Sequence, residues 1–347
     1  MLGGGIYVTQ NKTLPGTYFR VINSASASTA VGDRGVVAIA LPLGKSAGKV
    51  IEVTKEKITS EAEALLGVPY TDAKLAPIRE IFCKATKVYV YDLGTDGAKT
   101  VTDALDALEA YEFNVIAAYT DVSDDVSSYI TRVKSWRETL GKNCQAVVYD
   151  QASPEHEGII NVVSTVLDDS APEYALVAWV AGAEAGCPIN ATCDNVTYDG
   201  EYEVDGVKSQ SELENCLKNG QFVFHNVYGE VRVLQDINSL TKFTETKTED
   251  FKYNQVIRVL DQIVNDIAKL FNTRYLGKVA NNKSGRDGLW GDIVKHHKEL
   301  ETLQAIENFD SSLLKVEQGT TKRSVHVIDA VTVNGAMSHL YLDMIIS

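Results

Sequence analysis

Short apolar runs alternate with amphipathic stretches over most of the chain. "GVVAIAL" (35–41) predicts a buried strand. Helical patterning covers "SEAEALLG" and "DAKLAPIREIF". It is followed by strand "KVYVYDL", helix "TVTDALDALEAY", strand "NVIAAYT", helix "VSSYITRVKSWRETLG", and strands "QAVVYD" and "GIINVVS". This alternation predicts a mostly parallel sheet covered by helices. "PEYALVAWVAGAEAG" predicts a buried helix rich in small residues, "CDNVTYDGEYEVDG" an acidic loop or solvated hairpin, and "GQFVFHN" with "EVRVLQDIN" a strand pair closing the unit near residue 239.

The pattern then changes. In "FKYNQVIRVLDQIVNDIAKLF", Val256, Leu260, Ile263, Ile267 and Leu270 share one helix face. "DGLWGDIVKHHKELETLQAI" continues with Leu289, Ile293, Leu300 and Leu303. Strands "SLLKVEQ", "SVHVIDAVTV" and "MSHLYLDMII" follow, the last two expected to form a hairpin around Asn334-Gly335. At the other end, "GIYVT" and "TYFRVIN" alternate like short strands ahead of the linker-like "SASASTAVGDRG". The organisation expected is an arm and linker over 1–35, an α/β domain over 36–239, an α+β domain over 240–335, and an arm strand over 336–347. Apolar strands near the chain ends need partners, since an uncovered strand is an aggregation site.

Charge sharpens this division. The net charge is −14, yet residues 1–239 hold 19 basic and 33 acidic side chains and residues 240–347 hold 14 of each. The acidic part repels nucleic acid and anionic membranes. The neutral part suits packing against protein. The five cysteines (83, 144, 187, 193 and 216) include no CxxC pair and are expected to be reduced, in a reducing compartment. "MLGGGIYVTQ" lacks the basic start and apolar core of a secretory signal, and no run reaches the length of a membrane span.

Chemistry finds little support. "VYDLGTDGAKTVTDAL" has the strand–turn–helix order of a nucleotide site, but neither GxGxxG nor GxxxxGK[ST] is present, and Asp92 and Asp96 carry the wrong charge for a phosphate. His296 and His297 lie side by side on a helix, about 100° apart, unlike metal ligands spaced three or four residues apart. The cluster Asp194, Asp199, Glu201, Glu203 and Asp205 lacks the ligand order of a calcium loop. Gly-x-Ser-x-Gly is absent. No catalytic residue, metal or cofactor is expected. A nucleotide-binding α/β enzyme is the remote alternative.

The C-terminal third resembles the C-terminal domain of contractile-tail sheath proteins. The resemblance is carried by "INSL" (237–240), Arg258 with Asp261, "YLGK" (275–278), Asn281 or Asn282, and Gly285-Arg286. "AWVAGAEAG", "GKNCQAVVYD" and "LPGTYFRVIN" extend it over nearly the whole chain. It implies a structural subunit that polymerises as stacked hexameric rings around a tail tube and contracts. Its partners would be further copies of itself, the tube, and baseplate and terminator proteins. Assembly would take place in a bacterial host's cytoplasm, into a phage or phage-tail-like particle. A sheath of a type VI secretion or extracellular injection system is the alternative. The resemblance also implies that both arms donate strands to neighbouring copies, by β-augmentation. The donating residues would be Ile6, Tyr7, Val8 and Tyr18, and Met337, His339, Leu340, Tyr341, Leu342, Met344 and Ile345. The receiving strand would hold Val325, Val327, Ile328, Val331 and Val333. Lys295, His296 and Lys298 are the candidates for facing the tube.

Overall fold

The computed structural model describes residues 31–338. The first unit comprises β1 (Val36–Leu41), β2 (Val50–Thr54), α1 (Lys55–Leu66), α2 (Ala76–Phe82), β3 (Lys87–Asp92), α3 (Val101–Leu108), β4 (Val115–Ala117), α4 (Ser123–Ser135), β5 (Gln145–Tyr149), β6 (Ile159–Val162), α5 (Leu176–Gly186), α6 (Gln210–Lys218), β7 (Gln221–Phe222), β8 (Phe224–Val227) and β9 (Glu230–Val233). The second comprises α7 (Asn254–Leu270), α8 (Lys283–Thr302), β10 (Ile306–Glu307), β11 (Lys315–Gln318), β12 (Val325–Ile328) and β13 (Thr332–Val333). The fold is an α/β unit joined to an α+β unit.

The main sheet has seven strands in the order β2-β3-β1-β4-β5-β6-β7. Only β2 runs antiparallel, against β3. Strand alternation supplies both faces. Val37, Ile39 and Leu41 of β1 join the core under α1, α2 and α5, whereas Ala38 and Ala40 join the core under α3 and α4. The expected strand pair near residue 239 is the β8–β9 hairpin, and β7, the start of "QFVFH", instead extends the main sheet beside β6.

The small residues of α5 allow a close helix crossing. A Cβ on Gly182 would lie 2.4 Å from the carbonyl oxygen of Ile81, and one on Gly186 would lie 2.2 Å from that of Lys84. The α5 backbone therefore packs directly on the C-terminal end of α2.

The turn after β3 is a strand-to-helix connection. Asp92 is fully buried and its carboxylate accepts backbone N–H groups of Leu43, Gly44, Ser46 and Gly94, at 3.2, 2.8, 2.6 and 2.8 Å. The converging amides that a nucleotide site would turn toward phosphate are satisfied by an anion of the chain itself. Burial opposes ionisation of Asp92, but these four donors outweigh it and hold its pKa below the ordinary value.

The acidic segment 193–206 is not a solvated hairpin. It has only isolated bridges, Val166 with Val204 and Thr197 with Arg232. Two of its acids are tied to the neighbouring helix end: Asp199 pairs with Lys84 at 2.7 Å and accepts the indole N–H of Trp179, and Glu201 pairs with Arg79. All five cysteines are free thiols. Among the described residues, no helix is long and apolar enough to cross a membrane.

Candidate functional site

The C-terminal unit is built on two antiparallel helices. Val259 and Ile263 of α7 pack with Leu300 of α8, and Leu270 packs with Leu289 and Ile293. Asn282 caps α8 by accepting the Gly285 N–H at 2.8 Å, so the helix begins four residues before the stretch expected from its apolar pattern. Gly285 needs its missing side chain: a Cβ there would lie 2.2 Å from the Ala280 carbonyl oxygen.

"SVHVIDAVTV" is not one strand. β12 pairs antiparallel with β11, Val316 opposite Val327. β13 pairs with β10, Ile306 opposite Val333. The break falls at Asp329, whose carboxylate turns onto His297 Nε2 at 2.8 Å. The expected receiving residues are therefore divided. Val325 and Val327 pack under β12 with Leu270 and Ile293, Ile328 is exposed on its other face, and Val331 and Val333 lie against the Val259 cluster. β11–β12 and β10–β13 are two-stranded, so among the described residues each keeps open edges.

The second strand of the expected hairpin at Asn334-Gly335 lies, from residue 339 on, outside the described residues. Asn334 turns back to the end of α8, donating its backbone N–H to Ala305 O at 3.1 Å and its amide to Gln304 O at 2.9 Å. Ala336 then donates to Gln255 Oε1 at 3.0 Å, and Met337 is fully exposed. The other proposed donor positions, Ile6, Tyr7, Val8, Tyr18, His339, Leu340, Tyr341, Leu342, Met344 and Ile345, lie outside the described residues.

Of the tube-facing candidates, Lys295 and Lys298 are exposed on α8. His296 is not a surface group. It is 3 % exposed and its Nε2 lies 3.0 Å from Asp266 on α7, because its face of α8 is the one that packs inward. Gly288 and Gly291 continue the exposed face, and a Cβ at Gly291 would meet nothing within 4 Å.

The two units are joined by buried charge. Arg258 binds Glu184 Oε2 at 2.6 Å, Asp236 Oδ2 at 3.0 Å and the carbonyl of Ala191 at 2.7 Å. Asp236 also accepts the Cys193 N–H and the Asn254 amide. Three residues further along α7, Asp261 takes both terminal nitrogens of Arg137, at 2.6 and 2.8 Å. Burial and the adjacent Asp236 carboxylate raise the Glu184 pKa well above the ordinary value. Burial alone would raise Asp236 too, but Arg258 and its hydrogen-bond donors hold it down to about 2. The two acids beside Arg258 are thus pushed in opposite directions. Glu184, Cys193 and Asp236 are close enough together to suit a metal ion, but the guanidinium already supplies the cation. Sequence reasoning paired Arg258 with Asp261 as a motif and missed these partners. A lone acid inside "AWVAGAEAG" was the available signal, since a buried charge needs a counterpart.

Profile comparison matches residues 94–239 to the phage tail sheath protein central domain and residues 246–347 to the phage tail sheath C-terminal domain. The chain belongs to the phage tail sheath family. The family is one of structural tail proteins. It is 33% identical over 234 residues to the uncharacterized protein YqbK of Bacillus subtilis, covering 63% of this chain and 50% of that protein. It is 26% identical over 204 residues to the tail sheath protein of Clostridium phage phiCD119, covering 57% and 55%. The chain spans about half the length of these curated relatives. A sheath tail protein from Desulfitobacterium hafniense superposes with a TM-score of 0.75 at 24% identity, over 86% of this chain and 93% of that one, which shows the shared fold.

Proposed function

We propose that this sheath subunit polymerises as stacked hexameric rings around a tail tube, and that contraction of the polymer drives the tube through a target envelope. It would assemble in a bacterial host with tube, baseplate and terminator proteins, as part of a phage or phage-tail-like particle. The observation that carries this reading is the pair of two-stranded sheets whose edges are open among the described residues of the C-terminal unit, followed in the sequence by the apolar run 337–347. An open edge offers unpaired N–H and C=O groups, and an apolar alternating segment is what completes it. Donation between copies would keep subunits joined while they change packing, with no nucleotide needed. β12 remains the proposed receiving strand, with Val331 and Val333 now assigned to the neighbouring β10–β13 pair.

The face of α8 bearing Gly288, Gly291, Lys295 and Lys298 is the proposed tube contact. Two glycines permit close approach of another backbone, and two lysines suit an acidic partner.

Negative-stain electron microscopy of the full-length protein beside a version ending at Ala336 tests the weave. Striated tubes from the first and none from the second are expected. Tubes from both would move the strand donation to the N-terminal arm. Failure of both to polymerise, even with tube and baseplate present, would overturn the sheath assembly itself.

A further inference from the structure

The segment after α5 brings two thiols together. α5 gives way to Cys187, whose N–H still binds Ala183 O at 2.8 Å. The chain then turns on itself, with the Ala191 N–H donating to Pro188 O at 3.1 Å, and returns Cys193 to the side of Cys187. There the Cys193 thiol donates a hydrogen bond to the Cys187 sulfur. Both are free and buried. A thiol pair already in contact needs only a side-chain shift to reach disulfide geometry.

The loop between the two cysteines is where the first unit meets the helices of the second. Ile189 packs with Val259 of α7 and Leu300 of α8. The Ala191 carbonyl accepts from Arg258 at 2.7 Å, and the Cys193 N–H donates at 2.9 Å to Asp236, which also binds Arg258. The Cys193 sulfur itself lies 4.0 Å from the Arg258 guanidinium. Fixing both ends of this loop therefore fixes the surface on which α7 rests.

The pair is reached from one side. Cys187 lines a cavity of about 310 Å³ whose lining includes the exposed Asp33 and Leu303, whereas Cys193 is not among its lining residues. The sulfurs are also unequal. The hydrogen bond from Cys193, with the charges of Arg258 and Arg34, holds the Cys187 pKa below its ordinary value, although burial and the Asp236 carboxylate oppose this. Donating that bond raises Cys193 well above its own ordinary value, as do burial and the Glu184 and Asp236 carboxylates. Burial pushes Cys83 and Cys144 up to about 12 and about 11, and raises Cys216 as well. Of the five thiols, Cys187 ionises most readily, and the thiolate is the nucleophile.

We propose that Cys187 and Cys193 are an oxidation site, which a peroxide converts to an intrachain disulfide that locks the 188–192 loop against α7. The Cys187 thiolate attacks hydrogen peroxide. An S–O bond forms, the O–O bond breaks, and the departing hydroxide takes up the Cys187 proton as water, leaving a sulfenic acid. Cys193 then attacks the sulfenic sulfur. The S–S bond forms, the S–O bond breaks, and the second hydroxide leaves as water with the Cys193 proton. Two thiols give up two electrons, one peroxide accepts them, and the products are one disulfide and two waters. The joint between the two units is thereby tightened by oxidant and released by a thiol reductant.

The test treats the full-length, unassembled protein with hydrogen peroxide. Thiols counted after denaturation are expected to fall from five to three, since two of the five are consumed. The peptide map is expected to show a Cys187–Cys193 disulfide two hydrogens lighter than the reduced peptide. Hydrogen exchange at the Ala191 amide is expected to slow about tenfold on oxidation and to recover with dithiothreitol, because the cross-link removes the loop's freedom to open. Cys193→Ser is expected to stop at a sulfenic acid on Cys187, trapped by dimedone, and Cys187→Ser to trap at least about tenfold less on Cys193. Five thiols remaining after treatment, a disulfide that uses another cysteine, or unchanged Ala191 exchange in the oxidised protein overturns the proposal. Equal trapping in the two serine variants overturns the assignment of Cys187 as the attacking thiol. Should either variant fail to fold, the peptide map and exchange of the wild-type protein decide alone.

Discussion

Arg258 and Glu184 meet across the junction of the two units with 2.6 Å between guanidinium nitrogen and carboxylate oxygen, and each side chain is 1 % exposed. Asp236 completes the group at 3.0 Å. A buried guanidinium survives without solvent only beside counter-charge and hydrogen-bond acceptors, and these two acids supply both.

Glu184 and Asp236 should respond differently to neutralisation. Glu184→Gln removes the acid that burial and Asp236 push toward its neutral form and is expected to cost under about 1 kcal/mol at neutral pH, whereas Asp236→Asn removes the acid held ionised, leaves Glu184 alone to balance Arg258, and should cost more, roughly 2–4 kcal/mol. Because folding raises the Glu184 pKa above its ordinary value of 4.5, this group's contribution to stability is full below that value and falls as pH rises from there toward its folded value. Asp236 acts oppositely: its contribution is present above its ordinary value of 3.8 and is lost as pH falls toward about 2. Urea unfolding at pH 5 and pH 8 checks this, with a smaller loss between the two for Glu184→Gln than for wild type.

Asp92→Asn should lose roughly 2–3 kcal/mol, because an amide has one acceptor oxygen and turns N–H groups toward the backbone donors that the carboxylate satisfies. The carboxylate's contribution is present above its ordinary ionisation value and disappears on acidification below it. Unfolding curves of the two proteins should therefore converge at low pH.

Gly182→Ala tests the helix crossing. The added methyl would overlap the Ile81 carbonyl, a backbone atom that moves only if α2 and α5 separate. A loss of about 2–3 kcal/mol is expected, read as a lower denaturation midpoint.

Gly291→Ala should do the reverse in the free subunit. The site has open space around it, and alanine favours a helix over glycine by about 1 kcal/mol. If α8 faces the tube, the same substitution weakens tube binding while it raises the melting temperature. Lys295→Glu with Lys298→Glu should also loosen the sheath from the tube and leave sheath-only polymers intact, as co-sedimentation with purified tube would show.

Periodicity was enough for the layered unit. The period of two in "VVAIAL" and the helical spacing in "VTDALDAL" each require one arrangement to bury their apolar sides, so β1 and α3 follow from the residues themselves. The apolar faces of α7 and α8 were legible for the same reason, and the sheath motifs identified the family. Tertiary structure decided the rest. "SVHVIDAVTV" has one continuous strand pattern, and in the fold it divides at Asp329 between two partners, β11 and β10. His296 looks like a surface polar group until α7 brings Asp266 to it. Glu184, Asp236 and Arg258 are 52 and 22 residues apart along the chain. Local spacing carries no information about partners that only folding makes adjacent, because the free energy of a buried charge depends on what surrounds it in space rather than on its neighbours in sequence.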